Sequence, residues 1–174
     1  AYATLASSDV NLVLIPESPF KVGKVMSFLE DRLRRKAHAV IVVAEGAGQD
    51  LVASAGTDAS GNKALGDIGP YLRTAISDHF KRAGVPVAVK YIDPSYLIRS
   101  VAANADDSVF CFQLAWNAVH AAMSGRTAMV VGVWIGHFVH IPTEIAIETR
   151  KNVDIKSLFW QSVLDNTGQP KDLS

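Results

Sequence analysis

The stretch that decides the fold begins with Leu12-Val13-Leu14-Ile15-Pro16-Glu17, and two further segments follow it at residues 22–36 and 38–44. A short, continuous apolar run that ends at a proline is typical of a strand buried on both faces of a parallel sheet. In residues 22–36, apolar side chains recur at helical spacing with charged side chains opposite them, which indicates an amphipathic helix. Residues 38–44 are rich in valine and isoleucine and predict a second buried strand.

The rest of the chain continues the alternation of strand and helix. The next predicted helix has apolar residues four apart and ends near Gly84 and Pro86; its apolar positions are Ile68, Leu72, Ile76 and Phe80. Further predicted elements are, in chain order, a strand at 87–92, a helix at 106–124, strands on both sides of Gly136, and helices at 143–149 and 155–164. This alternation predicts an α/β fold, a layered domain with a largely parallel sheet flanked by helices.

Two segments carry more specific expectations. The helix at 106–124 has apolar residues along most of its length, and we expect these, Cys111 among them, to lie in the core. Residues 54–62 are rich in glycine, serine, aspartate and threonine, which predicts a loop. We expect residues 1–174 to form a single partial domain.

The composition, 49% hydrophobic and 20% charged over 174 residues, is that of a globular domain. Its 17 basic and 17 acidic residues cancel, so no overall field would attract nucleic acid or an anionic membrane. The apolar runs fall short of the roughly 20 residues that a transmembrane helix needs. A single cysteine cannot form an internal disulfide, which favours a cytoplasmic location. The chain opens on a helix-forming segment without methionine, and we interpret it as part of a longer protein.

Ligands of α/β sheets bind beyond the carboxyl ends of the strands, so the residues there are the first candidates for a site. Glu17 follows the first strand and can accept hydrogen bonds from sugar hydroxyls, although an ordinary solvated turn residue also fits this position. The second strand ends in Glu45-Gly46-Ala47-Gly48. Two glycines with one spacer complete neither the dinucleotide fingerprint nor the P-loop, so an ordinary turn is favoured over a phosphate cradle.

A third candidate region runs from Lys90 to Arg99 and contains a proline turn. Tyr96 and Arg99 stand three residues apart, so they share one face of a helix. Arginine can grip a phosphate with two parallel hydrogen bonds, lysine adds a point charge, and a tyrosine hydroxyl can donate to the same oxygens. Surface salt bridges account for Lys90 and Arg99 about equally well, so the residues alone leave both interpretations open.

Other reactive side chains give weaker candidates. His137 and His140 alternate with apolar residues, but no third ligand stands at zinc-like spacing, which favours structural histidines over a metal centre. His120 and Cys111 lie nine residues apart on the predicted helix, which argues against a thiol and base pair.

Read together, three segments resemble the phosphofructokinase family: Ile15-Pro16-Glu17-Ser18-Pro19-Phe20, Ala44-Glu45-Gly46-Ala47-Gly48-Gln49-Asp50 and Tyr91-Ile92-Asp93-Pro94-Ser95-Tyr96-Leu97-Ile98-Arg99. Residues 61–69 and Thr167-Gly168-Gln169-Pro170 extend the resemblance over nearly the whole chain. The resemblance is closest to the plant and related bacterial ATP-dependent branch. Each motif is modest alone, whereas their order and spacing together are specific.

The resemblance implies that four residues bind a sugar phosphate. Glu17 matches the family's glutamate that contacts the sugar, and Arg99 matches the arginine that grips the 6-phosphate. Tyr96 stands where members have histidine or tyrosine. Lys90 stands where many members have an arginine that reaches the phosphate of a neighbouring subunit's substrate, and lysine lacks the bidentate fork of that arginine.

The resemblance further implies the C-terminal half of a homo-oligomeric 6-phosphofructokinase. Such an enzyme uses Mg²⁺ and converts ATP and fructose 6-phosphate to ADP and fructose 1,6-bisphosphate. The family's glycine-rich phosphate loop and its Thr-Ile-Asp-Asn-Asp segment, which holds the catalytic base, do not occur in this sequence. We therefore expect no catalytic residue and no metal ligand in the chain, and an inactive fragment that exposes apolar surface and tends to associate.

Two alternatives remain open from the sequence. A pyrophosphate-dependent phosphofructokinase would share the same sugar-binding residues. A module without catalytic function that binds sugar phosphates or serves subunit assembly would also account for them.

Overall fold

The computed structural model describes residues 1–53, 56–57, 61 and 64–174. Its helices are α1 Tyr2–Ser7, α2 Val22–Arg35, α3 Ile68–Arg82, α4 Ser95–Ser100, α5 Ala105–Met123, α6 Thr143–Glu148 and α7 Leu158–Thr167. Its strands are β1 Leu12–Leu14, β2 Ile41–Val43, β3 Met129–Trp134 and β4 His137–Pro142. Most of the predicted loop at 54–62 lies outside the described residues. None of the described helices combines the length and the hydropathy needed to cross a membrane.

The described residues group into two compact units. Unit 1 comprises Ala1–Ile92 and Asn152–Ser174, and unit 2 comprises Asp93–Lys151. The expectation of a single domain stays a prediction.

Unit 1 is built around a parallel pair of strands. β1 and β2 pair in parallel, with Val13 opposite Val42. Because successive side chains of a strand point to opposite faces, β1 contributes to two separate clusters. Leu12 and Leu14 pack with apolar residues of α2 and α3, whereas Val13 packs with α7. The parallel pair therefore has helices on both faces, and the predicted layered α/β fold is confirmed.

The two helices that pack against Leu12 and Leu14 begin, end and bury a face as their sequences predict. α2 buries Val25, Met26 and Leu29 on one side, as the helical spacing of these residues requires. At the start of α3, the side chain of Asp67 accepts a hydrogen bond from the backbone N–H of Gly69, which satisfies one of the free amides of a helix N-terminus.

Two strand predictions in unit 1 need correction. β2 is half-buried rather than fully buried. Residues 87–92 were expected to form a third strand, but the structure assigns no strand there. Val87 and Val89 still pack against the core, with Ala88 and Lys90 exposed between and after them. The alternation of a strand is present, but a strand also needs the hydrogen bonds of a neighbouring strand, and no sheet of the described residues includes this segment.

Unit 2 contains an antiparallel hairpin with helices α4, α5 and α6. β3 and β4 pair in register from Met129 opposite Pro142 to Trp134 opposite His137. Ile135 and Gly136 connect them with φ angles of 47° and 75°. Two positive φ angles in a two-residue connection are the signature of the hairpin turn whose twist matches that of the strands.

The prediction that α5 buries its apolar residues is wrong. Val109, Phe110 and Cys111 are exposed, and Ala121 is the buried residue of this helix. Apolar residues lie around most of the helix. Because β3 packs against only one face of α5, the apolar residues on its other faces stay exposed. The separate expectation that the chain exposes apolar surface is confirmed.

Candidate functional site

Glu17 follows β1 after Ile15 and Pro16, and its side chain is hydrogen-bonded to the C-terminal part of unit 1. Its Oε1 accepts a hydrogen bond from the backbone N–H of Val153 at 3.0 Å, and this contact is partly buried. One carboxylate oxygen, Oε1, therefore has a structural partner. Sequence reasoning missed this contact, because 136 residues separate the two partners.

The turn after β2 lies at the same edge of the sheet as Glu17, since the carboxyl ends of parallel strands share one edge. Glu45 is exposed in this turn. Gly48 has a φ angle of 60°, and a Cβ atom there would lie 2.8 Å from Cζ of Phe20 and 3.0 Å from Cδ1 of Ile68. The glycine therefore serves close packing of the protein against itself, which supports an ordinary turn over a phosphate cradle.

Lys90 belongs to the extended segment at 85–92 of unit 1. Its side chain is exposed, while Val87 and Val89 face the core. A solvent-exposed cation therefore follows two valines that pack against the core, and an exposed ammonium group can bind an anion.

The short helix α4 presents Tyr96 and Arg99 in unit 2. Tyr96 is 80% exposed, Arg99 is exposed, and their spacing places them on one helix face. The helix is preceded by Asp93, whose Oδ1 accepts a hydrogen bond from the backbone N–H of Ser95 at 2.9 Å. This bond, the hydroxyl of Ser95 and the charge of Arg99 lower the pKa of the Asp93 carboxyl from its ordinary value.

The structure brings two of the four predicted site residues together, Tyr96 and Arg99, both of unit 2. Glu17 and Lys90 both belong to unit 1. That the two pairs converge on one ligand stays a prediction.

The histidines that the sequence singled out lie in unit 2. His137 and His140 are exposed on β4, and Nδ1 of His140 lies 2.8 Å from Nη1 of Arg126. Cys111 and His120 are both exposed on α5. Within the part of the chain that the structure describes, no three His, Cys, Asp or Glu side chains are grouped as metal ligands would be.

Proteins of known family match this chain over most of its length. The sequence profile of the family described as Phosphofructokinase matches residues 1–122. An ATP-dependent 6-phosphofructokinase from Amycolatopsis methanolica is 48% identical over 99% of this chain and 40% of its own length. ATP-dependent 6-phosphofructokinase 7 from Arabidopsis thaliana is 48% identical over 99% of this chain and 37% of its own length.

A third relative, the ATP-dependent 6-phosphofructokinase from Borreliella burgdorferi, is 45% identical over 98% of this chain and 40% of its own length. The chain thus spans about two fifths of the length of the curated relatives that it matches. The match over residues 1–122 covers well over half of the 174 residues. The chain therefore belongs to the phosphofructokinase family.

Proposed function

We propose that this chain is the sugar-phosphate-binding part of an ATP-dependent 6-phosphofructokinase. In the proposed reaction, the 1-hydroxyl of fructose 6-phosphate attacks the γ-phosphorus of ATP, and the bond to the bridging oxygen of ADP breaks. The names of the relatives support this reaction. One observation supports this role for the chain. Its helix α4 presents an exposed tyrosine and an exposed arginine on one face.

Arg99 is proposed to bind the 6-phosphate, and Lys90 is proposed to reach the 6-phosphate of a neighbouring subunit's substrate. Among the described residues, neither side chain takes part in a salt bridge, which supports phosphate binding over the surface salt bridges that the sequence left open. The guanidinium of Arg99 supplies two parallel donors, and Lys90 supplies a point charge. The hydroxyl of Tyr96 is proposed to donate to the same phosphate as Arg99.

Glu17 is proposed to orient the sugar. Its Oε1 is held by the backbone of Val153, so the carboxylate has a fixed direction and Oε2 can accept from a sugar hydroxyl. Fixing both ends of the substrate aligns the 1-hydroxyl with the phosphoryl donor. In phosphoryl transfer this alignment is a large part of catalysis.

Mg²⁺ is the metal proposed for the parent enzyme, where it would neutralise the charge of the transferred group. Among the described residues of this chain, no three His, Cys, Asp or Glu side chains form a group that could hold a metal ion. We accordingly assign this chain the orientation of the sugar and the binding of its phosphate, and no step through the metal. We also propose a cytoplasmic, homo-oligomeric parent, in which Lys90 reaches the substrate of a neighbouring subunit.

Calorimetry with fructose 6-phosphate tests the role of Arg99. Arg99→Ala should weaken binding by at least about tenfold, because hydrogen bonds to charged groups contribute about 1.5–3 kcal/mol. Arg99→Lys should fall between wild type and alanine, since it keeps the charge and loses the fork. Arg73→Ala, an exposed arginine of α3, is the matched control and should bind as wild type does. Binding that survives Arg99→Ala unchanged would remove Arg99 from the site.

The proposed contact between Glu17 and the sugar is tested by comparison with Glu45, which lies at the same edge of the sheet. Glu17→Gln should weaken fructose 6-phosphate binding severalfold, because a neutral amide is a weaker acceptor than a carboxylate. Glu45→Gln is the comparison, since Glu45 also follows a strand but is exposed. A loss of affinity in Glu45→Gln, with none in Glu17→Gln, would transfer the sugar contact to Glu45.

The phosphoryl donor is tested on the full-length parent. We expect turnover with ATP and none with pyrophosphate. The reverse result would identify a pyrophosphate-dependent enzyme, and sugar-phosphate binding without turnover with either donor would identify a binding module.

A further inference from the structure

Val13, the middle residue of β1, has its backbone N–H and C=O paired with a side chain rather than with a neighbouring strand. The backbone N–H of Leu12 donates to Val40, and the carbonyl of Leu14 accepts from Ala44, so these residues face β2. Because backbone groups of successive strand residues point to opposite edges, the N–H and C=O of Val13 face away from β2. A further strand would ordinarily satisfy groups at this position.

The side chain of Gln169 occupies that position. The N–H of Val13 donates to Oε1 of Gln169 at 2.7 Å, and Nε2 of Gln169 donates to the carbonyl of Val13 at 3.2 Å. Both bonds are buried. A glutamine amide carries one acceptor and one donor side by side, as a peptide group does. Gln169 thus substitutes for one residue of a neighbouring strand.

The same C-terminal stretch also holds the loop after β1. The backbone N–H of Lys21 donates to the carbonyl of Leu173 at 2.7 Å, and the N–H of Val153 donates to Glu17. Residues 152–174 therefore fix the path of the chain before, at and after Glu17.

We propose that Gln169 is a positioning residue for the candidate site: by pairing with both backbone groups of Val13, it sets the position of β1 and thereby of Glu17. The structural part of this claim stands on the hydrogen bonds alone. Its meaning for ligand binding rests on the proposed function, in which Glu17 contacts the sugar.

Gln169→Met tests the proposal, because methionine keeps the length and volume of the side chain and removes both hydrogen bonds. Gln161→Met is the matched control, since Gln161 is a nearby glutamine of α7 whose amide donates to Asp165 in an exposed contact. Amide hydrogen exchange is read at three N–H groups of the full 174-residue chain: Val13, which reports the pairing; Val153, which reports the position of Glu17; and Phe80 of α3, an internal reference.

In Gln169→Met we expect exchange at Val13 to rise about tenfold and exchange at Val153 to rise severalfold, with Phe80 unchanged, because local opening follows the hydrogen bonds that are lost. Unchanged exchange at Val153 beside faster exchange at Val13 would reduce Gln169 to a local stabilising role and overturn the proposal. Unchanged exchange at Val13 would overturn it as well. If Gln169→Met does not fold, Gln169→Asn, which is shorter by one methylene, should give the same pattern at smaller amplitude.

Calorimetry with fructose 6-phosphate supplies the functional measurement. Gln169→Met should raise the Kd severalfold, and Gln161→Met should leave it unchanged. An unchanged Kd in Gln169→Met, in a chain where Arg99→Ala weakens binding, would contradict the positioning role. Absence of binding by the wild-type chain would count against the proposed function instead, and the exchange rates at Val153 would still decide whether Gln169 positions Glu17.

Discussion

The two units of this chain contain comparable apolar helices and strands but differ in how these are covered. In unit 1, α2 and α3 lie on one face of β1 and α7 lies on the other, and nearly all buried apolar residues of the described chain belong to these layers. In unit 2, whose residues 93–151 are all described, Ala121 alone is buried. The pattern of apolar residues therefore predicts most helices and strands correctly in both units, but it predicts their burial correctly only in unit 1.

The difference between the units teaches what a pattern of apolar residues can specify. In α2, the apolar residues lie on one face, and that face identifies the side that packs. In α5 they lie around the helix, which is typical of a helix surrounded by protein. In the hairpin, Val133 and Trp134 are both exposed although they point to opposite faces. Burial depends on which other helices and strands pack against a residue, and the local sequence pattern does not specify these.

The largest expected effect contrasts one leucine of each unit. Leu29 of α2 is 2% exposed, whereas Leu97 of α4 is 64% exposed. Leu29→Ala should lower the free energy of unfolding by about 2–5 kcal/mol, and Leu97→Ala should change it by less than about 0.5 kcal/mol. Alanine and leucine are both good helix formers, so the contrast reports packing. Urea unfolding followed by circular dichroism gives both values, and equal losses would contradict the contrast.

The next effect contrasts two glycines that share a left-handed backbone. Gly48 of unit 1 has a φ angle of 60° and Gly125 of unit 2 has one of 74°. A Cβ atom at Gly48 would lie 2.8 Å from Phe20, whereas one at Gly125 would meet nothing within 4 Å. Both alanine variants carry the backbone strain of about 1–2 kcal/mol. Only Gly48→Ala overpacks a core, so its loss of stability should exceed that of Gly125→Ala by about 1–3 kcal/mol. Equal losses would show that Phe20 moves aside.

Self-association provides a smaller effect that bears on unit 2. The chain should associate as its concentration rises, because many large apolar side chains of unit 2 are exposed. Phe112 of α5 is 70% exposed, and Phe112→Ser should weaken association by about tenfold, since burying such a side chain contributes about 1.5–3 kcal/mol. Leu158→Ser, at an exposed leucine of unit 1, is the control and should have little effect. Sedimentation velocity measures both, and a wild-type chain that stays monomeric would refute the expectation.

Sequence reasoning located most of the elements because their signals are local. The apolar run at β1, the amphipathic spacing of α2 and the glycine that follows α5 each lie within a few residues of the element they specify. Residues 87–92 show the limit of this reasoning. Their alternation is that of a strand, but strand formation requires a neighbouring strand, which the local sequence does not provide.

The candidate site was predictable to a smaller extent. The shared helix face of Tyr96 and Arg99 follows from their spacing of three residues. The partners of Glu17 and Val13, by contrast, are Val153 and Gln169, which stand 136 and 156 residues away. Contacts over such separations are set by the packing of the whole unit, and no signal in the sequence near Glu17 indicates them.

The smallest expected effect concerns a short motif that both units contain. In unit 2, Asp93 accepts a hydrogen bond from the backbone N–H of Ser95. In unit 1, Asp172 accepts one from the backbone N–H of Ser174 at 2.8 Å and another from its hydroxyl at 2.6 Å. Both contacts lower the pKa of the aspartate from its ordinary value.

The causes of the two lowered pKa values rank differently. The backbone N–H of Ser95 is the largest cause at Asp93, followed by the Ser95 hydroxyl. At Asp172 the largest cause is the hydroxyl of Ser174, followed by the backbone N–H and the charge of Lys24. A serine-to-alanine change removes the hydroxyl and keeps the backbone donor, so it separates these causes.

Ser174→Ala should therefore raise the pKa of Asp172 by more than Ser95→Ala raises the pKa of Asp93. A carboxyl whose pKa is lower in the folded state stabilises that state above its unfolded pKa, and this contribution is lost as the pH falls through the folded pKa. As the pH falls, each alanine variant should consequently lose the hydrogen bond of its aspartate at a higher pH than wild type does. The change in this pH should be larger for Ser174→Ala, in unit 1, than for Ser95→Ala, in unit 2. Carboxyl ¹³C shifts recorded against pH give all four pKa values. A larger displacement at Asp93 would mean that the hydroxyl of Ser95, rather than its backbone N–H, holds the turn that precedes Tyr96 and Arg99.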